Sequence, residues 1–239
     1  MGRILRVSSG KNGAVKLKEG DQRTPLGVYF VTADLPKSQL SDFYGVGAYP
    51  ISYPNEWDRQ HGRNGHGIWL HGTPSDTYSR PPHSSNGCVV LTNQDLTTLG
   101  KTLQIGLTPV IITEHVEWVS HETWRAQRNA LVSQIENWRR DWENRDTDAY
   151  LRHYAKNFNA NGHTLGQWAK QKRRVNAAKT WIKVDVSNVS MFLYPGYENL
   201  VVVNFDQDYS SSNLSTQMKK RQYWIKENNH WKIVYEDAA

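Results

Sequence analysis

The chain holds a single cysteine, Cys88, in 239 residues. No disulfide can close within it, and a metal site of four thiolates is excluded. It has no run of eighteen apolar residues, so no membrane-spanning helix is expected. The opening Met-Gly-Arg-Ile-Leu-Arg lacks the apolar stretch of a signal peptide. For an exported protein, that signal is expected upstream or already removed. Internal repeats and low-complexity tracts are missing as well. Ten tryptophans exclude a disordered composition. The formal charge of +6 is spread over both halves: 11 basic against 9 acidic residues up to position 115, and 18 against 14 beyond it. Without one basic domain, nucleic-acid binding gains little support. The runs Lys170-Gln171-Lys172-Arg173-Arg174 and Lys219-Lys220-Arg221 read as solvated helix and strand faces.

Composition changes near residue 115. Before it, Gly and Pro are dense and the apolar runs are short: 27–31, 67–70, 89–91 and 109–112. Runs bounded by turn residues read as strands of a small β-rich domain. One helix is expected with Asn93 as N-cap and Gly100 as its stop. The segment Ser75 to Ser85, with Arg80-Pro81-Pro82, reads as an ordered loop. After residue 115, Trp124, Leu131, Ile135, Trp138 and Trp142 line one face of a long helix capped by Ser120. A second helix runs from Thr147 through Tyr150, Leu151, Tyr154 and Phe158, and a third begins after Thr164. From Trp181 the period becomes two: Ile182, Val184 and Val186 alternate ahead of Met191 and Leu193, and strands continue at Leu200–Phe205, Lys220–Lys226 and Trp231–Tyr235. Asn188 marks a bulge, and Asn228-Asn229 a tight hairpin turn. The expected architecture is a mainly-β domain over 1–115, then an α+β cone over 116–239, three helices on a curved antiparallel sheet.

His71 and Cys88 stand seventeen positions apart, each in a Gly-punctuated segment. A thiol at its ordinary pKa is mostly protonated at neutral pH, so a nucleophilic cysteine needs a base. Imidazole fits that task and returns the proton to a leaving amine. Gly72 lets the backbone turn so that a main-chain carbonyl can orient the imidazole. Gly87 clears space before the thiol, and the amides of Gly87 and Cys88 are candidate oxyanion donors. The alternative reading is a buried inert thiol beside a structural histidine. His61, His66 and His71 recur every five residues, but the glycines at 62, 65, 67 and 72 forbid a helix there. His121-Glu122 lacks a second histidine at Arg125, so no zinc signature completes itself. No metal and no cofactor are expected.

Four blocks, Gly20-Asp21-Gln22-Arg23-Thr24-Pro25-Leu26-Gly27-Val28-Tyr29, Tyr49-Pro50-Ile51-Ser52-Tyr53-Pro54-Asn55, Gly67-Ile68-Trp69-Leu70-His71-Gly72 and Ser85-Asn86-Gly87-Cys88-Val89, resemble the L,D-transpeptidase (YkuD-type) catalytic domain. Order and gaps match across residues 5–113. The resemblance implies action on peptidoglycan stem peptides, in the periplasm or cell envelope. It implies attack on the bond between the L-centre of a diamino acid and the following D-residue. D-Alanine leaves, and an amine or water resolves the resulting thioester. On it, Cys88 is the nucleophile, His71 the base, Gly72 the orienting carbonyl and Gly87 part of the oxyanion hole. Ser85 and Asn86 support the loop, and Tyr53 and Arg80 are candidate substrate contacts. Asn86 stands where many members have His, and Val90 where Arg is often found. The family also has one or two further strands before the first block.

The second half resembles the nuclear transport factor 2-like fold, on its order of elements and on Tyr223-Trp224, Asn228-Asn229 and Trp231-Lys232-Ile233. A catalytic domain followed by such a module resembles a Gram-negative group that trims stem peptides as L,D-carboxypeptidases. The appended domain is a candidate site for a protein or ligand partner, with packed scaffold as the alternative. Three functions remain open: a transpeptidase, an L,D-carboxypeptidase or related hydrolase, and a wall-binding module that no longer turns over.

Overall fold

Short apolar runs between turn residues build the first half as two small sheets. A computed structural model describes residues 4–239, and the chain divides after Val116 into two units. The first holds β1 (Gly27–Phe30), β2 (Leu35–Pro36), β3 (Gly47–Pro50), α1 (Glu56–Gln60), β4 (Trp69–His71), β5 (Val89–Val90), α2 (Asn93–Gly100) and β6 (Pro109–Ile112). One sheet has the order β2-β3-β4-β5, and β1 pairs with β6 in the other. Only β4 and β5 run parallel among these pairs. Tyr29, Ile51, Ile68, Leu70, Leu91 and Leu96 form the core between them. The β2/β3 pair and helix α1 were not legible as elements, because Leu35–Pro36, Gly47–Pro50 and Glu56–Gln60 contain no continuous apolar run. Asn55 caps α1 through a reciprocal bond with Asp58, so polar capping defines that helix instead.

Helix α2 begins one residue earlier in its cap than expected. Thr92, not Asn93, accepts the Asp95 amide, which frees the Asn93 side chain for other bonds.

The second unit carries α3 (His121–Glu143), α4 (Thr147–Leu151), β7 (Asn159–Ala160), β8 (His163–Thr164), α5 (Leu165–Ala177), β9 (Ile182–Leu193), β10 (Leu200–Ser211), β11 (Leu214–Glu227) and β12 (His230–Ala238). Its four long strands form an antiparallel sheet in the order β12-β11-β10-β9, with β7 and β8 as a separate pair. The strands β10 and β11 are longer than their apolar runs, because the mostly polar residues 206–219 continue the ladder to a turn after Ser211. Asn188 has φ +53, and the β9/β10 register shifts opposite it, so the bulge lies where the asparagine marks it. Asn228 and Asn229 both have positive φ, as a two-residue hairpin turn between right-twisted strands requires.

Three expectations give way to packing. Trp124 is 52 % exposed, since burial along α3 starts only at Leu131. Helix α4 stops at Leu151, because His153 and Ala155 exchange backbone bonds with Ile233 of β12; Tyr154 and Phe158 are buried outside any helix. The basic runs are not wholly solvated. The Lys172 ammonium lies over the rings of Trp168, Trp142 and Tyr150 at 4.3, 4.9 and 5.6 Å. Burial lowers its pKa to about 8. Lys220 bonds to Glu236 at 2.9 Å, and Gln222 and Tyr154 donate to the other Glu236 oxygen. Burial would raise the Glu236 pKa, but the two ammoniums and these bonds hold it below the ordinary range.

A carboxyl depressed on folding contributes stability above its unfolded pKa and loses it as pH falls through the folded value. Urea unfolding of Glu236→Ala should show a loss of about 3–5 kcal/mol at pH 7, from the Lys220 charge left buried. A loss below about 1 kcal/mol would mean water reaches that lysine.

Candidate active site

His71 ends β4, and Cys88 lies at the entrance to its parallel neighbour β5. His71 pairs with Val90. Cys88 immediately precedes β5, and its thiol meets the carbonyl of Gly67, two residues before β4, so the parallel pairing sets the two segments side by side.

His71 is buried, and its Nδ1 lies 2.7 Å from the Gly72 carbonyl. A carbonyl only accepts, so Nδ1 carries the proton and Nε2 keeps its lone pair. Burial drives the imidazole pKa down to about 4; the Gly72 bond opposes this and the Arg80 charge adds to it. Cys88 is half-buried, and its thiol donates to the Gly67 carbonyl at 3.3 Å. Burial pushes that thiol up, against the pull of a Trp69 backbone bond and the Arg80 and Lys16 charges. At neutral pH the pair rests as thiol and neutral imidazole, not as an ion pair.

The turn before Cys88 is tied from several directions. Ser85 Oγ donates to the Cys88 carbonyl at 2.6 Å and accepts the Gly87 amide at 3.0 Å. Thr24 Oγ1 donates to the Gly87 carbonyl at 3.0 Å and accepts the Gly10 amide at 2.8 Å. Gly87 has φ +125, and a Cβ there would lie 2.8 Å from the Arg23 carbonyl oxygen. Only glycine suits that position. Asp21 gathers the Leu17, Lys18 and Arg23 amides and the Lys16 ammonium. Against the effect of burial, these partners hold its carboxyl well below the usual range. Asp21 and Thr24, three residues apart, thus brace the cysteine turn through the chain beneath it.

Asn93 performs the corresponding task for His71. Its Oδ1 accepts the amides of Val46 and Thr73, and its Nδ2 donates to the Thr73 carbonyl. A side chain at Gly72 would collide with that Oδ1. Tyr44 meets the imidazole edge-on at 5.2 Å, and Phe43 lies 5.7 Å from it. Neither aromatic residue stands in a readable pattern; both come from the irregular 42–44 turn. Asn93 was visible only as a helix cap.

The other sequence-derived residues fall in different places. Arg80 stacks over Phe43 at 4.6 Å and lines a cleft of about 790 Å³ together with Arg6, Tyr78, Pro81 and Val90. Asn86 is exposed. Tyr53 is a core residue rather than a surface contact: it is 6 % exposed and its hydroxyl donates to the Asn64 carbonyl. The Gly87 amide, one of the two expected oxyanion donors, is committed to Ser85, because the hydroxyl reaches back into its own turn.

The L,D-transpeptidase catalytic domain family matches residues 2–112, and the Cds6 C-terminal NTF2-like domain family matches residues 130–237. The solved structure of Bd1075 from Bdellovibrio bacteriovorus is 30 % identical. That alignment covers 90 % of this chain and 79 % of that one, with a TM-score of 0.81. The helical cell shape determining protein Pgp2 from Campylobacter jejuni is 28 % identical, over 97 % and 80 % of the two chains, with a TM-score of 0.79. Comparison with curated protein sequences returns no match.

Iodoacetamide should alkylate Cys88 slowly at pH 7 and steadily faster above pH 9, because the thiolate is the reacting form. A rate already on its plateau at pH 6, and lost in His71→Ala, would instead reveal a resting ion pair. Asn93→Ala removes three bonds at once and should cost about 1–3 kcal/mol in urea unfolding. No change in stability would show that the His71 strand end holds its place without them.

Proposed function

The chain belongs to the L,D-transpeptidase (YkuD) family of peptidoglycan enzymes, and on that premise we propose that it works through a Cys88 thioester. The observation that carries this reading is the 2.7 Å bond between His71 Nδ1 and the Gly72 carbonyl. With Nδ1–H held by the Gly72 carbonyl, Nε2 is the basic atom, at the end of the strand paired with the one Cys88 enters. Because the imidazole titrates near 4, it is present as a free base throughout the neutral range.

The proposed reaction begins with transfer of the thiol proton to Nε2 as Sγ attacks the carbonyl carbon of the L-centred diamino residue. Negative charge on the carbonyl oxygen is received by the Cys88 amide, the donor of the expected pair that Ser85 does not occupy. The C–N bond then breaks, and Nε2–H protonates the departing amine of the D-residue. What remains is an acyl group on Sγ and a neutral imidazole. In the second half, an amine from another stem attacks the thioester while Nε2 accepts its proton, and the thiol is regenerated. The product is a cross-link.

Water in place of that amine makes the same protein an L,D-carboxypeptidase. One feature favours this second reading. The 73–84 loop is pinned beside the imidazole, by Ser75 on Asp42 and by Ser84 on Ser8. A fixed loop there leaves less room for a bulky acceptor. We place the enzyme in the cell envelope, where its substrate is, and by likeness to Pgp2 we assign it to control of cell shape. No helix is long and apolar enough to cross a membrane among the described residues. The NTF2-like domain is proposed to hold wall fragments or a protein partner.

Purified protein incubated with tetrapeptide muropeptides separates these outcomes by mass spectrometry. Tripeptide plus free D-alanine means hydrolysis, and dimers joined between diamino residues mean transfer. Either product should vanish in Cys88→Ala, and kcat/KM should fall only below about pH 5, as His71 becomes protonated. An intact product yield in Cys88→Ala would remove the thioester mechanism.

A further inference from the structure

Arg80 is a charge without a counter-charge. No carboxylate pairs with it among the described residues, although it stands within the electrostatic reach of both His71 and Cys88. Its guanidinium is not loose. It lies over the Phe43 ring at 4.6 Å, and Phe43 in turn lies 5.7 Å from the His71 ring. A cation stacked on an aromatic face keeps its edge free for planar, two-point binding of a carboxylate. The loop that carries it is tied at Thr73, Ser75 and Ser84, so the position is preset rather than adopted on binding. The one acid lining the same cleft, Asp95, accepts from the Thr92 hydroxyl at the start of α2.

The leaving residue supplies the missing partner. Its nitrogen must take a proton from His71 Nε2, which requires an approach of ~3 Å. Its own carboxylate is joined to that nitrogen through a single Cα, and needs another ~3 Å to meet a guanidinium. Arg80 and His71 share Phe43 as a ring neighbour, so a single small residue is in reach of both. We propose that Arg80 binds the free carboxylate of the departing D-residue, and so restricts the enzyme to bonds that lie one residue from a chain end. Arg80 is then a specificity-determining residue of the site, and this inference rests on the thioester reading above.

The test uses two donors that differ at one group: a tetrapeptide ending in a free carboxylate and the same peptide ending in a carboxamide. Release of the last residue is followed by mass spectrometry for the wild type, Arg80→Gln and Arg80→Lys. The wild type should prefer the acid by about 10–100-fold in kcat/KM, the range of a charge-assisted pair. Arg80→Gln should bring the acid-to-amide ratio close to one, with Arg80→Lys between them. A ratio equally high in Arg80→Gln, or equal use of both donors by the wild type, would overturn the proposal. Should Arg80→Gln fail to fold, the wild-type ratio and Arg80→Lys decide the matter. Failure of the thioester reading looks different: neither donor would acylate the wild-type thiol in intact-mass measurements.

Discussion

The site depends on one short hydrogen bond, from His71 Nδ1 to the carbonyl of the next residue. A histidine that bonds to its own neighbour needs a sharp turn of the chain, and no side chain can stand at Gly72 without striking Asn93. The bond selects one tautomer, and burial keeps the ring neutral. An orienting carboxylate would stabilise a charged imidazolium; a carbonyl does so far less. In the proposed mechanism the ring therefore accepts a proton only while a bond is being made. That choice of orienter sets the resting charge of the whole centre.

Around that bond the chain assembles two braces from distant segments. Asp21 and Thr24 support the cysteine turn from below, and Asn93 closes the backbone on either side of the histidine strand. Each brace replaces solvent at backbone amides that would otherwise be buried unpaired. The proposed nucleophile and base are thus positioned by residues outside the pair. It also explains why the recognisable blocks of sequence extend well beyond the two reacting residues.

Much of this was legible in the residues. The two-part architecture follows from the shift in periodicity near 115, and the helices of the second half follow from their apolar spacing and polar caps. The bulge at Asn188 and the turn at Asn228-Asn229 were readable because few residues other than glycine and asparagine accept a positive φ. What escaped was of two kinds. Short elements without a continuous apolar run, such as β2, β3 and α1, left no signal, whereas equally short apolar strands such as β5 did. Side chains recruited by tertiary contacts also hid their roles: Asn93 looked like a cap, Phe43 and Tyr44 stood in no pattern, and Lys172 and Lys220 looked like solvated charges. Tyr53 sat in a recognisable block yet belongs to the core, which shows that a shared motif records packing as well as chemistry.

The parallel pairing of β4 with β5 reaches further than the proximity it creates. Antiparallel neighbours can be joined by a two-residue turn, whereas parallel ones require the chain to travel back along the sheet before it re-enters. The excursion between His71 and Cys88 is therefore a topological necessity, present whatever its sequence. Its length hangs at the mouth of the reaction centre but contributes neither reacting group. Its ends are not free to vary, because Gly72 and the 85–87 turn hold the backbone of the site, so only the stretch between them can be rewritten.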